Sequence, residues 1–451
     1  MRKGILIILV CFPVCFLSLT QLSLNTNAQS SQSDINMGYP DLNWSYTFGT
    51  NDGHDAAYSV IQCSDGGYFI TGSTMIEGTL DVIMIRLNET GELIWSKTLI
   101  REGEQIAQEV IECESGGHAI IGNTQEQLPN GTLLDSDAYL IRVHANGSVA
   151  WTQTIGTNAS QQAYSIIEPY GGGFTFAGYT TNSERGDLDF WLVHTTPEGQ
   201  LLWNRTYGSE GNDICYSLVE WGPYEGLVLV GSRYNVGSGD QEGWIINTHY
   251  DGTIQWARTY GGSRNVIFYD VIRRSNRVLV IVGAKENLLS GGLDAFILSV
   301  YEDGDFWWNT TIGGFFNQEA YSITICHDGG YAITGYTIEQ TQFGTYTHLL
   351  VTRIDSSGTV EWNKRYGGAG VEIGWSIIQA PNDDFIIAGT TESNQGDEVG
   401  TDAWIISIPD APYFDQSGPP NFELILLGII TGVIIITIAS LIYFRSKRNL
   451  R

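Results

Sequence analysis

Short apolar runs recur along most of the chain, and polar stretches rich in Gly, Asp, Asn and Thr separate them. Each run is about 5–7 residues long and favours Val, Ile, Tyr, Phe, Trp and Thr, which is typical of β-strands. Most runs are apolar at nearly every position instead of alternating, as strands covered on both faces are. The pattern therefore predicts an all-β fold.

The runs belong to an internal repeat of about fifty residues. A unit reads "AYSVIQC", a DGG-type turn, "YFITGST", a polar loop, "DVIMIRL", a second turn and a strand that contains Trp. Because the short links carry Gly, Asp or Asn, they predict tight hairpins, and each unit becomes a four-stranded antiparallel meander. The Trp residues recur 51 to 56 residues apart, at Trp44, Trp95, Trp151, Trp203, Trp256, Trp308 and Trp362.

Seven such units predict a seven-bladed β-propeller over residues 42–408. The seventh unit ends at Ile408 without a Trp strand, whereas an additional Trp strand around Trp44 precedes the first unit. We therefore expect the N-terminal strand to close the last blade beside residues 402–408, which removes an open sheet edge. In this register the tight turns share one face, and the longer, variable loops share the other face, where propellers usually bind.

Both ends of the chain have the composition of targeting and anchoring segments. Arg2 and Lys3 precede an apolar run, which predicts a signal peptide over residues 1–28. Residues 424–444 carry no charge, and we expect a transmembrane helix over 422–444, after a stalk at 409–421. The basic tail at 445–451 is expected to stay in the cytoplasm. The prediction is a single-pass protein of the cell membrane whose propeller is extracellular.

The net charge of −28 argues against binding to nucleic acid, because an acidic surface repels phosphates. Many of the acidic residues fall in the long loops, which predicts a strongly negative long-loop face. Such a face suits divalent cations or basic partners, although solubility alone also accounts for it. The acidic residues of these loops include Asp52, Asp55, Glu77, Glu102, Glu126, Asp135, Glu184, Asp187, Glu210, Asp213, Glu372, Asp397 and Glu398.

An acidic residue also opens most of the third strands, while Thr347 takes this place in the sixth unit. A ring of carboxylates would suit calcium, but the repetition favours a bond to the backbone within each blade. The loops at 53–55 and 186–189 are further, weaker calcium candidates. We assign no catalytic residue and no cofactor. The acidic residues in question are Asp81, Asp137, Asp189, Glu242, Asp294 and Asp402.

Four cysteines lie outside the predicted signal peptide: Cys63, Cys113, Cys215 and Cys326. Three of them share one position in the repeat, which indicates a small buried side chain, with an extracellular disulfide as the alternative. No two cysteines form a CxxC pair and the histidines share no metal-like spacing, so no zinc site is predicted. The seven marker Trp residues are expected to pack between the outer parts of the blades, with a carbohydrate platform as the alternative.

N-x-S/T sequons make the chain a candidate glycoprotein, because the predicted propeller lies outside the cell. The acceptor residues are Asn43, Asn88, Asn130, Asn146, Asn158, Asn204 and Asn309.

The segment "IMIRLNETGELIWSKT" at residues 83–98 resembles the repeat of pyrroloquinoline-quinone-dehydrogenase-like propellers, in which an acidic, TG-containing turn leads to a Trp. The whole unit resembles repeats of secreted or membrane-anchored propellers of bacteria and archaea. Quinone-dependent enzymes of that superfamily carry a vicinal Cys–Cys pair, which this sequence lacks. "DSSGTVEW" at residues 355–362 loosely resembles the Asp-box of sialidase-type propellers, without its strict spacing.

These observations predict a non-enzymatic binding or scaffold module of the cell surface, which binds an extracellular protein or glycan through the long-loop face. The alternative is a secreted propeller enzyme, either a hydrolase or a quinone-dependent oxidoreductase, with its site at the central channel.

Overall fold

The computed structural model describes residues 42–410, except 51–52, 128–132, 158, 183, 223–224, 275–276, 315, 343, 369 and 393–399. The predicted signal peptide, transmembrane helix and basic tail lie outside the described residues, as does the stalk after Asp410. Within the described part, no helix has the length and apolar character needed to cross a membrane. The strands of this part form seven four-stranded antiparallel sheets, which confirms the predicted seven-bladed β-propeller.

The first strand, β1 (Trp44–Phe48), belongs to the last blade, and the other blades follow in chain order from an innermost A strand through B and C to an outermost D strand. Blade 1 comprises β2 (Ala56–Gln62), β3 (Tyr68–Ile76), β4 (Thr79–Leu87) and β5 (Leu93–Leu99). Blade 2 comprises β6 (Glu104–Glu112), β7 (His118–Gln127), β8 (Leu133–Val143) and β9 (Val149–Ile155). Blade 3 comprises β10 (Gln161–Ile167), β11 (Thr175–Thr181), β12 (Leu188–Thr195) and β13 (Leu201–Tyr207).

The remaining blades follow the same plan. Blade 4 comprises β14 (Ile214–Gly222), β15 (Gly226–Asn235), β16 (Asp240–Thr248) and β17 (Ile254–Tyr260). Blade 5 comprises β18 (Val266–Arg274), β19 (Val278–Glu286), β20 (Leu293–Tyr301) and β21 (Phe306–Ile312). Blade 6 comprises β22 (Gln318–Ile325), β23 (Tyr331–Thr341), β24 (Gly344–Ile354) and β25 (Val360–Tyr366). Blade 7 comprises β26 (Ile373–Gln379), β27 (Phe385–Thr391), β28 (Asp402–Ile408) and β1.

The two ends of the propeller meet in blade 7, as the repeat register predicts. Strand β1 pairs antiparallel with β28, and Tyr46 lies opposite Ile405. Nε1 of Trp404 also donates a hydrogen bond to Oγ of Ser45 at 2.8 Å. The closure leaves blade 7 with the same four strands as the other blades, so neither face of its sheet is left without a neighbour.

A β-bulge in every A strand explains one repeated glycine. In blade 3 the bulge falls between Ala163 and Ser165, and Gly178 of the B strand pairs with Ala163. A Cβ atom on Gly178 would lie 1.8 Å from the carbonyl oxygen of Gln162. The equivalent glycines of the other blades meet the same backbone at 1.9 to 2.2 Å, so this position admits no side chain. They are Gly72, Gly122, Gly231, Gly283, Gly335 and Gly389.

The marker Trp residues pack between blades, as predicted. Six of the seven indoles lie over the glycine in the C–D turn of the next blade, as Trp95 does over Gly147. A Cβ atom on any of these six glycines would lie 2.4 to 3.2 Å from the indole. Blade 7 has no such turn because its D strand comes from the N-terminus, and Trp362 of blade 6 packs against Phe385 there, with 6.1 Å between ring centroids. The Trp residues therefore connect the outer parts of the blades.

We expect Gly178→Ala to lower the free energy of unfolding by about 1–3 kcal/mol, because the added methyl group overlaps a backbone carbonyl. Gly171→Ala in the same blade is the matched control, since a Cβ atom there meets nothing within 4 Å. The control is expected to change stability by less than about 0.5 kcal/mol. Denaturant unfolding followed by Trp fluorescence measures both values, and equal stability of the two variants would contradict the proposed origin of the glycine.

Candidate functional site

The seven A strands surround a central channel, since each contacts the A strands of the two adjacent blades. The side chain at the bulge is aromatic in six of the seven blades, and Gln108 takes the position in blade 2. We call these six residues the aromatic belt. They are Tyr58, Tyr164, Tyr216, Tyr269, Tyr321 and Trp375.

The belt is continuous from blade 3 around to blade 1. Ring centroids lie 5.5 Å apart for Tyr164 and Tyr216, 5.2 Å for Tyr216 and Tyr269, and 4.9 Å for Tyr269 and Tyr321. Trp375 continues the belt, 4.7 Å from Tyr321 and 5.7 Å from Tyr58. Burial raises the pKa of all five belt tyrosines, so they stay neutral and act as packed, half-buried rings.

The residue after the bulge forms a second circle, which we call the hydrogen-bond collar. It consists of Ser59, Glu109, Ser165, Ser217, Asp270, Ser322 and Ser376. At six of the seven blade interfaces the collar side chain accepts a backbone N–H bond from the next A strand, as Ser376 does from Val60 at 3.2 Å. At the remaining interface Ser217 donates its hydroxyl to Asp270 at 3.0 Å. The collar therefore joins every blade to its neighbours.

Blades 2 and 5 place a carboxyl group in the collar where the other five blades have Ser. Burial raises the pKa of Glu109 to about 7 and that of Asp270 to about 6, although hydrogen bonds offset part of the effect. Glu109 accepts the N–H of Ile166 at 2.6 Å, and Asp270 accepts those of Val271 at 2.8 Å and Ile323 at 3.1 Å. Both groups can exchange a proton near neutral pH, but they already hold partners within the protein.

A third carboxyl group lies above the belt, at the long-loop end of blade 6. Glu319 is buried and accepts the hydroxyls of Tyr269 at 2.7 Å and of Tyr336 at 2.6 Å. Burial, assisted by the charge of Glu319, raises the pKa of both tyrosines. The sequence already contained a signal for the belt and collar, namely the recurring triplets "AYS", "CYS", "FYD" and "GWS", but strand composition alone did not reveal that they face an axis.

Several acidic residues predicted to lie on the long-loop face are instead buried. Asp55 accepts the N–H groups of Thr50 at 2.8 Å and Met75 at 3.0 Å, and Asp213 accepts those of Ser209 and Tyr234. Glu372 accepts the N–H of Gly368 at 3.1 Å. These carboxylates fix the loops between blades to the blades themselves. Exposed acidic residues of the face are Glu77, Glu102, Glu126, Asp135, Glu184 and Glu210, while Asp52, Asp397 and Glu398 lie outside the described residues.

The acidic residues at the start of the C strands also accept hydrogen bonds from groups of their own blades. Asp81 accepts the backbone N–H of Arg101 at 3.0 Å, the backbone bond that the repetition predicts. Three others accept an Asn side chain of the preceding loop: Asp189 at 2.7 Å, Glu242 at 3.2 Å and Asp294 at 2.9 Å. In the loop at 186–189, Arg185 forms salt bridges with Asp187 and Asp189. Its guanidinium group therefore already neutralises the carboxylates that were calcium-ligand candidates.

The long-loop face of blades 4 and 5 carries exposed aliphatic side chains at the tips of its B–C loops. Val236 is 56 % exposed, Leu288 57 % and Leu289 100 %. Val236 borders a cavity of about 340 Å³, which we call the blade 4 pocket. Its lining residues are Ser209, Glu210, Arg233, Tyr234, Asn235, Val236, Gly237 and Glu242. These exposed side chains were not predictable from the repeat, because the loop tips depart from it.

Five of the predicted glycosylation sites lie among the described residues. Asn43, Asn146, Asn204 and Asn309 are exposed, whereas Asn88 is half-buried and its side-chain oxygen accepts the N–H groups of Thr90 and Glu92. All five lie in C–D turns, in D strands or next to one, away from the long-loop face. Asn130 and Asn158 lie outside the described residues, so the glycosylation sites remain a prediction.

The four cysteines that the structure describes are buried and form no disulfide bonds, which agrees with their interpretation as small buried side chains. Cys63 lies near Glu112 and His118, a grouping that their spacing along the chain did not indicate.

No protein-family model and no curated protein matches the chain. Solved structures are similar to it at low identity. Sqt1 from Chaetomium thermophilum shares 10 % identity over 80 % of this chain and 96 % of its own, with a TM-score of 0.44. Drosophila Plexin A, in complex with Semaphorin 1b, shares 7 % over 79 % and 88 %, with a TM-score of 0.37. A glucose dehydrogenase shares 13 % over 79 % and 97 %, with a TM-score of 0.34. Because these scores are low, the fold assignment rests on the strand pairing described above.

Glu109→Ser is expected to make the free energy of unfolding less dependent on pH. Burial raises the Glu109 pKa from an ordinary 4.5 to about 7, so the folded protein binds a proton that the unfolded chain releases between these values. The stabilisation is therefore complete below about pH 4.5 and is lost as the pH rises through about 7. Denaturant unfolding of wild type and variant across this range measures the two slopes.

Ser59→Ala is the control for this experiment, because it removes a collar hydrogen bond without removing a titrating group. It is expected to lower stability by a similar amount at every pH. Equal pH slopes for wild type and Glu109→Ser would show that Glu109 does not hold its proton in the folded protein.

Proposed function

We propose that this chain is a non-enzymatic binding module of the cell surface, which binds an extracellular protein through its long-loop face, with a glycan as the other ligand class. A single C-terminal span at residues 422–444 would anchor it, with the propeller outside the cell and the basic tail in the cytoplasm. The charge distribution and length of that segment support the anchor. The acidic composition argues against a nucleic-acid partner.

The observation that carries this proposal is the exposure of Val236 on the B–C loop of blade 4 and of Leu288 and Leu289 on the B–C loop of blade 5. Exposed aliphatic side chains gain about 25 cal/mol per Å² when a partner removes them from water. Exposed apolar side chains at loop tips, one of them beside a pocket, are typical of protein interaction sites. A protein partner suits them better than a glycan, because it can supply apolar side chains of its own.

The charges around these side chains indicate what the rest of such a partner would carry. Glu210 and Glu242 line the blade 4 pocket, and Asp240 and Glu286 flank the two loop tips. Arg233 lies over the ring of Trp244 at 5.5 Å, which holds the basic residue of the pocket within its own blade. A partner with an apolar centre and a basic rim would be complementary to this surface.

The central channel offers less support for the enzyme alternative. Its collar carboxyl groups accept backbone hydrogen bonds between blades, and Glu319 accepts two tyrosine hydroxyls. A catalytic acid or base must reach a substrate atom, which requires a group free to exchange its partner. The long-loop face, by contrast, exposes side chains to solvent. None of the seven sequons falls in the long loops of blades 4 and 5, so N-linked glycans at these sequons would not be attached to those loops.

We expect Leu289→Asp to weaken partner binding by roughly tenfold or more, because a charge replaces an apolar contact at the centre of the interface. The purified chain would be screened against surface proteins of its own organism and against a glycan array, with and without calcium. Leu202→Asp is the matched control, since Leu202 is also exposed, at 57 %, but lies at the outer edge of blade 3.

Binding that survives in both Leu289→Asp and Val236→Asp would place the partner elsewhere on the molecule. Turnover of a bound compound that Glu109→Ser abolishes would favour the enzyme instead.

A further inference from the structure

The interface of blades 1 and 2 brings Cys63, Glu112 and His118 together on the short-turn face. Cys63 follows the A strand of blade 1, while Glu112 ends the A strand of blade 2 and His118 begins its B strand. Their sulfur, carboxylate oxygen and imidazole nitrogen all lie within 4.8 Å of one another, and Sγ of Cys63 is 3.3 Å from Nε2 of His118. Among the described residues, no other three His, Cys, Asp or Glu side chains converge in this way.

The repeat shows that His118 is not required for packing. The equivalent position in the other blades holds an aromatic or aliphatic residue: Tyr68, Phe174, Leu227, Leu279, Tyr331 and Phe385. His118 is only 3 % exposed, and its Nδ1 atom has no hydrogen-bond partner in the described part of the protein. A buried polar atom without a partner destabilises the fold, and an apolar residue at this position would avoid that cost.

Glu112 is already oriented toward the cluster by the neighbouring blade. The N–H and the hydroxyl of Ser64 donate to its two carboxylate oxygens, each at 2.7 Å. Each oxygen keeps a second lone pair, so the carboxylate can bind a cation while Ser64 holds it in place. Glu112 is half-buried and Ser64 is exposed, so the Glu112 side of the cluster lies near the protein surface.

We propose that Cys63, Glu112 and His118 form a zinc site that links blade 1 to blade 2, with a water molecule as the fourth ligand. Sulfur, nitrogen and oxygen donors are the set that zinc takes in proteins. Tetrahedral zinc with a sulfur at about 2.3 Å and a nitrogen at about 2.0 Å places these two atoms roughly 3.5 Å apart. The Cys63–His118 separation of 3.3 Å is close to this value.

The electrostatics of the cluster are compatible with such a metal. Burial raises the pKa of Cys63 to about 12 and lowers that of His118 to about 4, so both are neutral without a cation. The imidazole is thus in the form that binds zinc, and the ion itself removes the thiol proton, which passes to solvent. Arg86 lies near the cluster, but Asp65 forms a salt bridge with it.

The next interface provides an internal control. Cys113 occupies the position of Cys63 there, and Glu168 accepts the N–H of Glu114 at 2.8 Å. Phe174 replaces the histidine, so this interface has the sulfur and the carboxylate but no nitrogen. A metal that needs all three donors should bind at the first interface and not at the second.

The test uses the purified full chain, equilibrated with Zn²⁺ in an excess of Ca²⁺ that saturates the exposed carboxylates, and then desalted. Mass spectrometry of the metal content is expected to find one zinc ion per wild-type chain and per Cys113→Ala chain. Cys63→Ala and His118→Phe are expected to lose it. His118→Phe uses the residue that blades 3 and 7 carry at this position, so folding is expected to be preserved, and circular dichroism checks this.

Cobalt provides a second readout that depends on the thiolate. Wild type loaded with Co²⁺ should show a sulfur-to-cobalt charge-transfer absorption that Cys113→Ala keeps and Cys63→Ala loses. The proposal is overturned if wild type retains no more zinc than His118→Phe. Retained zinc without the charge-transfer absorption would likewise exclude Cys63 as a ligand.

Discussion

A blade of about fifty residues has two apolar faces and no means of covering either face alone, and the whole molecule follows from this constraint. The strands are buried along most of their length because each sheet packs between two others, as the fully buried β27 and β28 show. A linear stack would leave its first and last sheets uncovered. The pairing of β1 with β28 turns the stack into a closed circle, so the last sheet is completed by the first strand of the chain.

Closure also determines what the axis contains. Seven A strands must converge there, and the bulge in each one turns a side chain toward its neighbours. The same bulge brings the A-strand backbone against the B strand, where only glycine fits, as at Gly178. The aromatic belt, the collar and the repeated glycine are therefore consequences of one backbone feature. Because the collar bonds run between blades, the channel contributes to holding the circle together, and the outward loops are left to vary.

The features predictable from the sequence were those that recur with the repeat. The blade count, the closure at Trp44 and the interblade packing of the Trp residues all follow from the period. Features that depend on distance between blades were not predictable. Cys63 and His118 are 55 residues apart, and only the stacking of blade 2 on blade 1 brings them together. The sequence also did not show which acidic loop residues are buried. Asp213 and Glu210 lie in the same loop, yet only Asp213 turns inward and accepts backbone hydrogen bonds.

Departures from the repeat are informative because packing alone does not call for them. Glu109 replaces a collar Ser and is costly to bury, but it accepts a 2.6 Å hydrogen bond and can keep its proton, so the collar compensates for it. Asp270 is compensated in the same way by three donors. His118 differs from both, since one of its nitrogens has no partner among the described residues. Its other nitrogen, Nε2, lies 3.3 Å from Sγ of Cys63, so a cation bound between these two atoms would stabilise the buried ring through Nε2.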